Sequence, residues 1–375
     1  MRILWISNVP SPYRVAFFSK LGQLCDLTVI FEMQSSKERD LSWKEYSFDG
    51  FLGIILNGIE VDVDKTISLS IVKYIKRKEY DHIVISNIAS PTGIIASEYM
   101  QFMRIPYIIE GDGGTAKNGI GIKEKIKKRI IGAAKGYFST GKAHDFYYVS
   151  YGAEIKNIYR YPFTSIYQKD ILKDVVENCE KKRLKNELGI KEDFTVLSIG
   201  QFIHRKGFDI LIKSCEKIDR NIGVHIIGGK PNTEYLEIVS KLRLNNVYFH
   251  EFMLKNEIFR WLKAADIFAF PTREDIWGLV INEAMAVGLP IITTDKCMAG
   301  LELIENGSNG YIIPVENITL LAEYINILYK DEILRMILGR NNIKKINEYT
   351  LEKMAIRHIE VFNMLSLKNQ INHLT

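Results

Sequence analysis

The chain has 375 residues, 47% of them hydrophobic and 25% charged, the balance of an ordinary globular protein of about two domains. Its net charge of +5 is mild, and Cys25, Cys179, Cys215 and Cys297 stand far apart with no CxxC pair. That pattern excludes a disulfide scaffold and a cysteine zinc site and predicts a reducing compartment. Residues 1–14 open with one Arg before a short apolar run, unlike a signal peptide, and no stretch approaches the length of a membrane span. The expectation is a cytoplasmic protein.

Strand-like and helix-like segments alternate along the chain. In the first half, apolar runs predict strands at 2–7, 27–32, 82–86, 106–110, 136–139 and, more weakly, 158–161, with helical patterns at 68–78, 90–103 and 123–134. From Lys123 to Lys135, six of thirteen residues are Lys or Arg, and Ile126, Ile130, Ile131 and Ala134 fall at helical spacing. This is an amphipathic helix with a basic face; a solvated helix packing its isoleucines and a helix docked on an anionic membrane surface fit it equally. Nucleic-acid binding is not expected, because no nucleic-acid module surrounds so short a patch. The stretch 170–188 is charged and helical in tone, and the domain junction is placed within 163–193. Strands follow at 195–200, 224–228, 247–249, 267–271, 291–294 and 310–313. Such alternation predicts an α/β protein of two Rossmann-like, doubly wound parallel sheets, residues 1–168 and 169–349.

Ligands of open parallel sheets bind beyond the carboxyl ends of the strands, so the loops there are the candidate site. After the strand ending at Gly200, Arg205 and Lys206 precede Gly207, a pairing of fork, point charge and bare backbone that suits a diphosphate. Gly228 and Gly229 follow the next strand. Between Ile276 and Leu289 only Asn282 and Glu283 are polar. Glu283 lies one helical turn from both Leu279 and Val287, so its charge must be paired or border a cleft. A structural ion pair and a ligand-binding carboxylate both meet that demand.

These residues resemble the retaining nucleotide-sugar glycosyltransferases of the GT-B fold, family 4 above all. That family carries a K-G loop after the first strand of its second domain and an E-x7-E motif of the form E-x-F-G-L-V-x-x-E-A-M-A-x-G-x-P. Here the loop reads Arg205-Lys206-Gly207, and the motif runs from Asp275 through Trp277-Gly278-Leu279 and Glu283-Ala284-Met285-Ala286 to Pro290. The resemblance is strong over 194–314 and holds only in strand order before that. It implies two domains facing a cleft, with a last helix, near 350–375, crossing back onto the first. Glu283 would bind the ribose diol of the donor and Asp275, with Glu274 beside it, the hydroxyls of the donor sugar. The amides of Trp277, Gly278 and Leu279 would hold the sugar or distal phosphate, and Lys206 with Arg205 would neutralise the departing diphosphate. Gly200, Gly228 and Gly229 would line the donor pocket. No cofactor or metal is implied. Asp62-Val63-Asp64 has the spelling of a metal-binding DxD but lies far from the expected cleft and reads as coincidence.

The chain departs from the family where Asp275 replaces the first Glu, where Gln201 replaces an Arg, and where Ser11-Pro12-Tyr13-Arg14 stands in place of a Gly-Gly loop. A family His is replaced by Glu110-Gly111-Asp112-Gly113-Gly114. Either carboxylate of that segment could orient an acceptor hydroxyl, or the segment could be a plain turn. Ser11, Tyr13 and Arg14 are expected on the acceptor or phosphate side. His144 and His204 read as surface or turn residues, and the aromatic stretch from Tyr147 to Phe163 as packing. The expected partners are a nucleotide-sugar donor and a saccharide or lipid-linked acceptor of surface polysaccharide or glycolipid assembly, at the inner face of the plasma membrane. A nucleotide-sugar epimerase and a non-catalytic sugar-nucleotide-binding relative are the alternatives. A nicotinamide oxidoreductase ranks low without G-x-G-x-x-G after Ser7 or Gly200.

Overall fold

The computed structural model describes residues 1–34, 47–62, 65–114 and 121–374. It divides into two compact units, Met1–Ser165 with Leu351–Thr375, and Ile166–Thr350.

The first unit is built on seven parallel strands: β1 (Arg2–Ser7), β2 (Asp26–Phe31), β3 (Leu52–Ile55), β6 (His82–Ile85), β7 (Ile108–Glu110), β8 (Gly136–Ser139) and β9 (Ile158–Arg160). Their order is β3-β2-β1-β6-β7-β8-β9, so the winding reverses between β1 and β6. Helices α1 (Pro12–Gly22), α2 (Pro91–Phe102), α3 (Ile122–Ala133) and α4 (Lys142–Ser150) cover it. Strands β1, β6, β7 and β8 bury nearly every side chain, which is why they read as unbroken apolar runs. Helix α2 starts where the sequence provides a stop: Ser90 caps it by accepting the Gly93 amide at 2.9 Å, and Pro91 supplies a first residue that needs no donor.

Three readings of the first half are corrected. The segment 68–78 forms only a short 3-10 turn, Leu69–Lys73. A two-stranded antiparallel hairpin, β4 (Ile59–Asp62) with β5 (Lys65–Ile67), and the edge strand β3 were not foreseen. Leu52 is 60% and Ile59 73% exposed, and Ile54 and Ile55 are only half-buried, so these strands carry no clear burial pattern. His144 is buried: burial pushes its imidazole down to about 4, and it accepts the Thr140 amide at 3.3 Å. His204 is exposed, and Tyr148, Tyr151, Tyr159, Tyr161 and Phe163 pack in the core as expected.

The second unit holds six parallel strands: β10 (Phe194–Ile199), β11 (Ile222–Ile227), β12 (Val247–His250), β13 (Ile267–Phe270), β14 (Ile291–Thr294) and β15 (Gly310–Ile313), in the order β12-β11-β10-β13-β14-β15. The reversal falls between β10 and β13. Around them lie α5 (Asn178–Leu188), α6 (Phe208–Ser214), α7 (Thr233–Lys241), α8 (Lys255–Ala264), α9 (Leu279–Ala286), α10 (Met298–Leu303), α11 (Ile318–Lys330) and α12 (Glu332–Ile346). Residues 171–177, read as helical, are not; α5 begins only at Asn178.

The last helix, α13 (Leu351–Leu374), belongs to the first unit and packs against α1. It inserts His358, fully buried, among Trp5, Phe17, Phe138 and Tyr161, with the Phe138 ring centroid 4.1 Å away. The Met354 carbonyl, 2.7 Å from Nδ1, fixes the ring, and burial pushes its imidazole down to about 4.

Candidate functional site

In the second unit the loops after β10 and β13 flank the reversal, where open α/β sheets bind ligands. They are pressed together. A Cβ on Gly207 would lie 2.1 Å from the Pro271 carbonyl oxygen, and the backbone there is left-handed at φ +69°, so only glycine fits the approach. The Arg205 carbonyl accepts the Arg273 amide at 2.8 Å and the Thr272 hydroxyl at 2.9 Å.

This clamp brings Lys206 and Asp275 into contact, Nζ to Oδ2 at 2.5 Å. Both side chains are mostly buried, 13% and 11% exposed, so the pair keeps more of its attraction than a surface pair does. Lys206 also lies over the Phe270 ring at 4.9 Å. Arg205 is more open; its guanidinium donates to the Glu274 carbonyl at 2.9 Å and lies 3.5 Å from Asp275. The Glu274 residue itself is exposed. Two expected catalytic groups therefore neutralise each other, and any diphosphate reaching Lys206 shares it with Asp275.

Helix α9 begins at Gly278, left-handed at φ +101°, and Trp277 is buried just before it. The Trp277 indole N–H donates to Asn282 Oδ1 at 2.9 Å, which explains a polar side chain inside an apolar helix. The Trp277 amide leans on Asp275 Oδ1 at 3.4 Å, so it is already partnered. Glu283 is half-buried, one turn into α9 beyond Leu279. The three glycines expected around the donor spend their amides on backbone: Gly200 donates to the Ile227 carbonyl at 2.9 Å, and Gly228 and Gly229 to the His250 carbonyl at 3.0 and 3.1 Å. With their amides taken by the backbone, they shape the loop floor.

Sequence reading missed Arg273. Its fork holds Asp209 at 2.8 and 2.9 Å, and it reaches Glu316 at 2.7 Å and the His204 carbonyl at 2.8 Å. It braces the loop that carries Lys206. A cation three residues beyond a buried strand was the available signal.

In the first unit the reversal lies between β1 and β6. Arg14, on α1, is buried and grips Glu110 at the end of β7 with both arms, at 2.8 and 2.9 Å. Glu110 also accepts the Tyr161 hydroxyl at 2.6 Å and the Ser86 hydroxyl at 2.7 Å. Burial works to raise its carboxyl, but the Arg14 guanidinium and these hydrogen bonds outweigh that and hold it below its usual value. For Arg14 burial pulls down, yet Asp112 and Glu110 together push it well up. The Arg14 fork also contacts Asp112, whose other oxygen accepts the Tyr13 hydroxyl at 2.7 Å. Arg14, expected to reach a phosphate, is thus occupied by carboxylates in the interior. Ser11 is buried ahead of α1, and Gly113 and Gly114 continue from Asp112. Residues 115–120 of the glycine-rich loop, and Val63 and Asp64 of the DxD spelling, lie outside the described residues.

Among the described residues no helix is long and apolar enough to cross a membrane, and no group of His, Cys, Asp and Glu suits a metal ion.

Residues 180–345 match the family model described as glycosyl transferases group 1. Among curated relatives, the N,N'-diacetylbacillosaminyl-diphospho-undecaprenol alpha-1,3-N-acetylgalactosaminyltransferase of Campylobacter jejuni is 25% identical over 292 residues, 74% of this chain and 74% of that enzyme. The lipopolysaccharide glucosyltransferase WaaG of Escherichia coli is 29% identical over 168 residues, 43% of this chain and 41% of its own length. The chain spans about half the length of most curated relatives it matches. The crystal structure of HepE from Anabaena in complex with UDP is similar with a TM-score of 0.80 at 16% identity, covering 97% of this chain and 100% of that one. The likeness establishes the fold as GT-B. The stretch similar to the glycosyl transferases group 1 is residues 180–345, within the second unit.

Proposed function

We propose that this chain is a retaining, family 4-type glycosyltransferase that moves a sugar from a nucleotide-diphosphate sugar to a hydroxyl of a saccharide or lipid-linked saccharide. The observation that carries it is the Lys206–Asp275 pair at the strand reversal of the second sheet, with Glu283 one helix turn further on. Glycosyl transfer builds negative charge on the leaving diphosphate. Lys206, with Arg205 beside it, meets that charge as it grows and so stabilises the transition state more than the ground state. As the diphosphate takes over Lys206, Asp275 is released toward a hydroxyl of the donor sugar. Glu283 accepts the two hydrogens of the ribose diol. UDP bound to the similar HepE structure supports a nucleotide in this role, and the diphospho-undecaprenol named for the Campylobacter relative supports a lipid-linked acceptor.

The same setting gives α3 a task at the inner face of a membrane. Lys123, Lys125, Lys128 and Arg129 are exposed on it while Ile130 and Ile131 anchor it in the core, and Ile122, 78% exposed, sits at its start. Sedimentation with anionic and with neutral liposomes tests this part alone: equal recovery in both supernatants removes it.

The test of the main reading is a thermal-shift panel of nucleoside diphosphates and their sugars. A ligand at 100 times its Kd adds about 2.7 kcal/mol to apparent stability. Glu283→Ala should abolish the shift. A Glu283→Ala protein that keeps the full nucleotide response overturns the assignment of the diol.

A further inference from the structure

We propose that Asp112, and not Glu110, is the carboxylate that the first unit turns toward the acceptor, where it accepts a hydrogen bond from a sugar hydroxyl while Arg14 and Tyr13 hold it in place. The inference rests on the glycosyltransferase reading above and deepens it.

Glu110 ends β7 and Asp112 stands two residues on, and the sequence gives no ground to choose between them. The structure separates them by exposure. The Glu110 side chain is 0% exposed and its two oxygens take four hydrogen bonds, from both arms of Arg14, from Tyr161 and from Ser86. No substrate reaches it without dismantling the interior. The Asp112 side chain is 32% exposed and lies at the carboxyl edge of the sheet, beside the reversal between β1 and β6.

The role of Glu110 is then to fix the guanidinium. Held by two parallel bonds, Arg14 has one orientation, and in it the same nitrogen that meets Glu110 Oε2 also touches Asp112 Oδ1. Tyr13, one residue earlier on α1, donates to Asp112 Oδ2 at 2.7 Å. Its ring rests edge-on against buried Phe163, centroids 6.0 Å apart, so the hydroxyl is supported from below. A carboxylate held at both oxygens by partners on one helix, and open to solvent, is pre-set for a hydroxyl donor. Arg14 and Tyr13 are positioning residues. Asp112 is the group that touches substrate, and it binds without taking part in bond breaking.

The experiment uses the full chain with UDP-, GDP- and ADP-sugars as donors and methyl and octyl glycosides as acceptors, reading transfer and donor hydrolysis by water separately. Asp112→Asn should raise the glycoside KM about 10- to 100-fold, the value of one hydrogen bond to a charged group. Hydrolysis of the same donor and the nucleotide-induced thermal shift should stay at wild-type values, while the melting temperature falls because buried Arg14 loses one of its two carboxylates. Tyr13→Phe should raise the glycoside KM by a smaller factor with hydrolysis unchanged, and it carries the test should Asp112→Asn not fold. An Asp112→Asn protein with wild-type glycoside KM, or one losing hydrolysis and transfer alike, overturns the assignment. So does a wild type that hydrolyses donor but glycosylates none of the panel. A wild type that neither shifts with a nucleotide nor consumes a donor instead rejects the glycosyltransferase reading.

Discussion

The two sheets reverse their winding in the same way, yet they treat charge at the reversal differently. In the first unit Arg14 and Glu110 are sealed in the interior, with every hydrogen bond of the carboxylate made by protein. In the second, Lys206 and Asp275 meet at the rim, joined by a partly exposed Arg205. A fully enclosed, fully satisfied pair is a fixture of the fold, because removing either partner strands a charge. A pair at the edge of solvent can trade one partner for a ligand. The same chemistry of cation and carboxylate is sealed in one place and open to exchange in the other.

That contrast breaks first at Arg14. Arg14→Ala leaves Glu110 buried without its partner and should cost about 3–5 kcal/mol. Calorimetry should show the transition of the first unit falling by about 10 °C while that of the second stays put. A fall of a degree or two denies the sealed pair its structural role. Next, Lys206→Ala should lower turnover at least about 100-fold, the loss of one preorganised charge at the leaving group. A steady-state assay of donor consumption checks it, and retained turnover makes the rim pair structural too.

Glu32 sharpens the comparison, since it is a buried carboxyl with no cation partner among the described residues. Burial pushes it up to about 8, and only the Ser90 hydroxyl, at 2.8 Å, and Thr66 work against that. The folded state therefore holds this proton more tightly than the unfolded chain, whose value is near the ordinary 4.5. Its contribution to stability is fully present below about pH 4.5 and declines by at most about 1.4 kcal/mol per pH unit until about pH 8. Glu32→Gln should remove that slope and leave the protein more stable than wild type at pH 8, read from denaturant midpoints across pH. A slope shared by wild type and variant assigns the effect elsewhere. The smallest change is expected at Arg205. Its side chain is 41% exposed, so Arg205→Ala should alter folding by no more than about 0.5 kcal/mol in urea titrations.

Much of the fold was legible because parallel strands covered on both faces are written as unbroken apolar runs between turn residues. Strands β1, β8, β14 and β15 lie where those runs end. The hairpin β4–β5 was not legible, since Ile59 and Val61 are exposed and nothing in their spacing marks a face. At the site, Asp275 and Glu283 stood in one motif and Lys206 in a short loop of the same resemblance, so the three could be named together. The sealing of Glu110 could not be foreseen. Its partners Arg14, Ser86 and Tyr161 lie 96, 24 and 51 residues away, and only the folded sheet brings them to one point. Arg14 misled for the same reason: a cation after the first strand reads as a phosphate contact until the carboxylate that claims it is located.

Helix α13 has a consequence for the order in which the protein is made. The first unit's sheet leaves the ribosome early, but the hollow lined by Trp5, Phe17, Phe138 and Tyr161 stays unfilled until His358 has been synthesised. The second unit, an uninterrupted stretch from Ile166 to Thr350, is complete before that. Translation therefore completes the second unit first, and the first unit closes last.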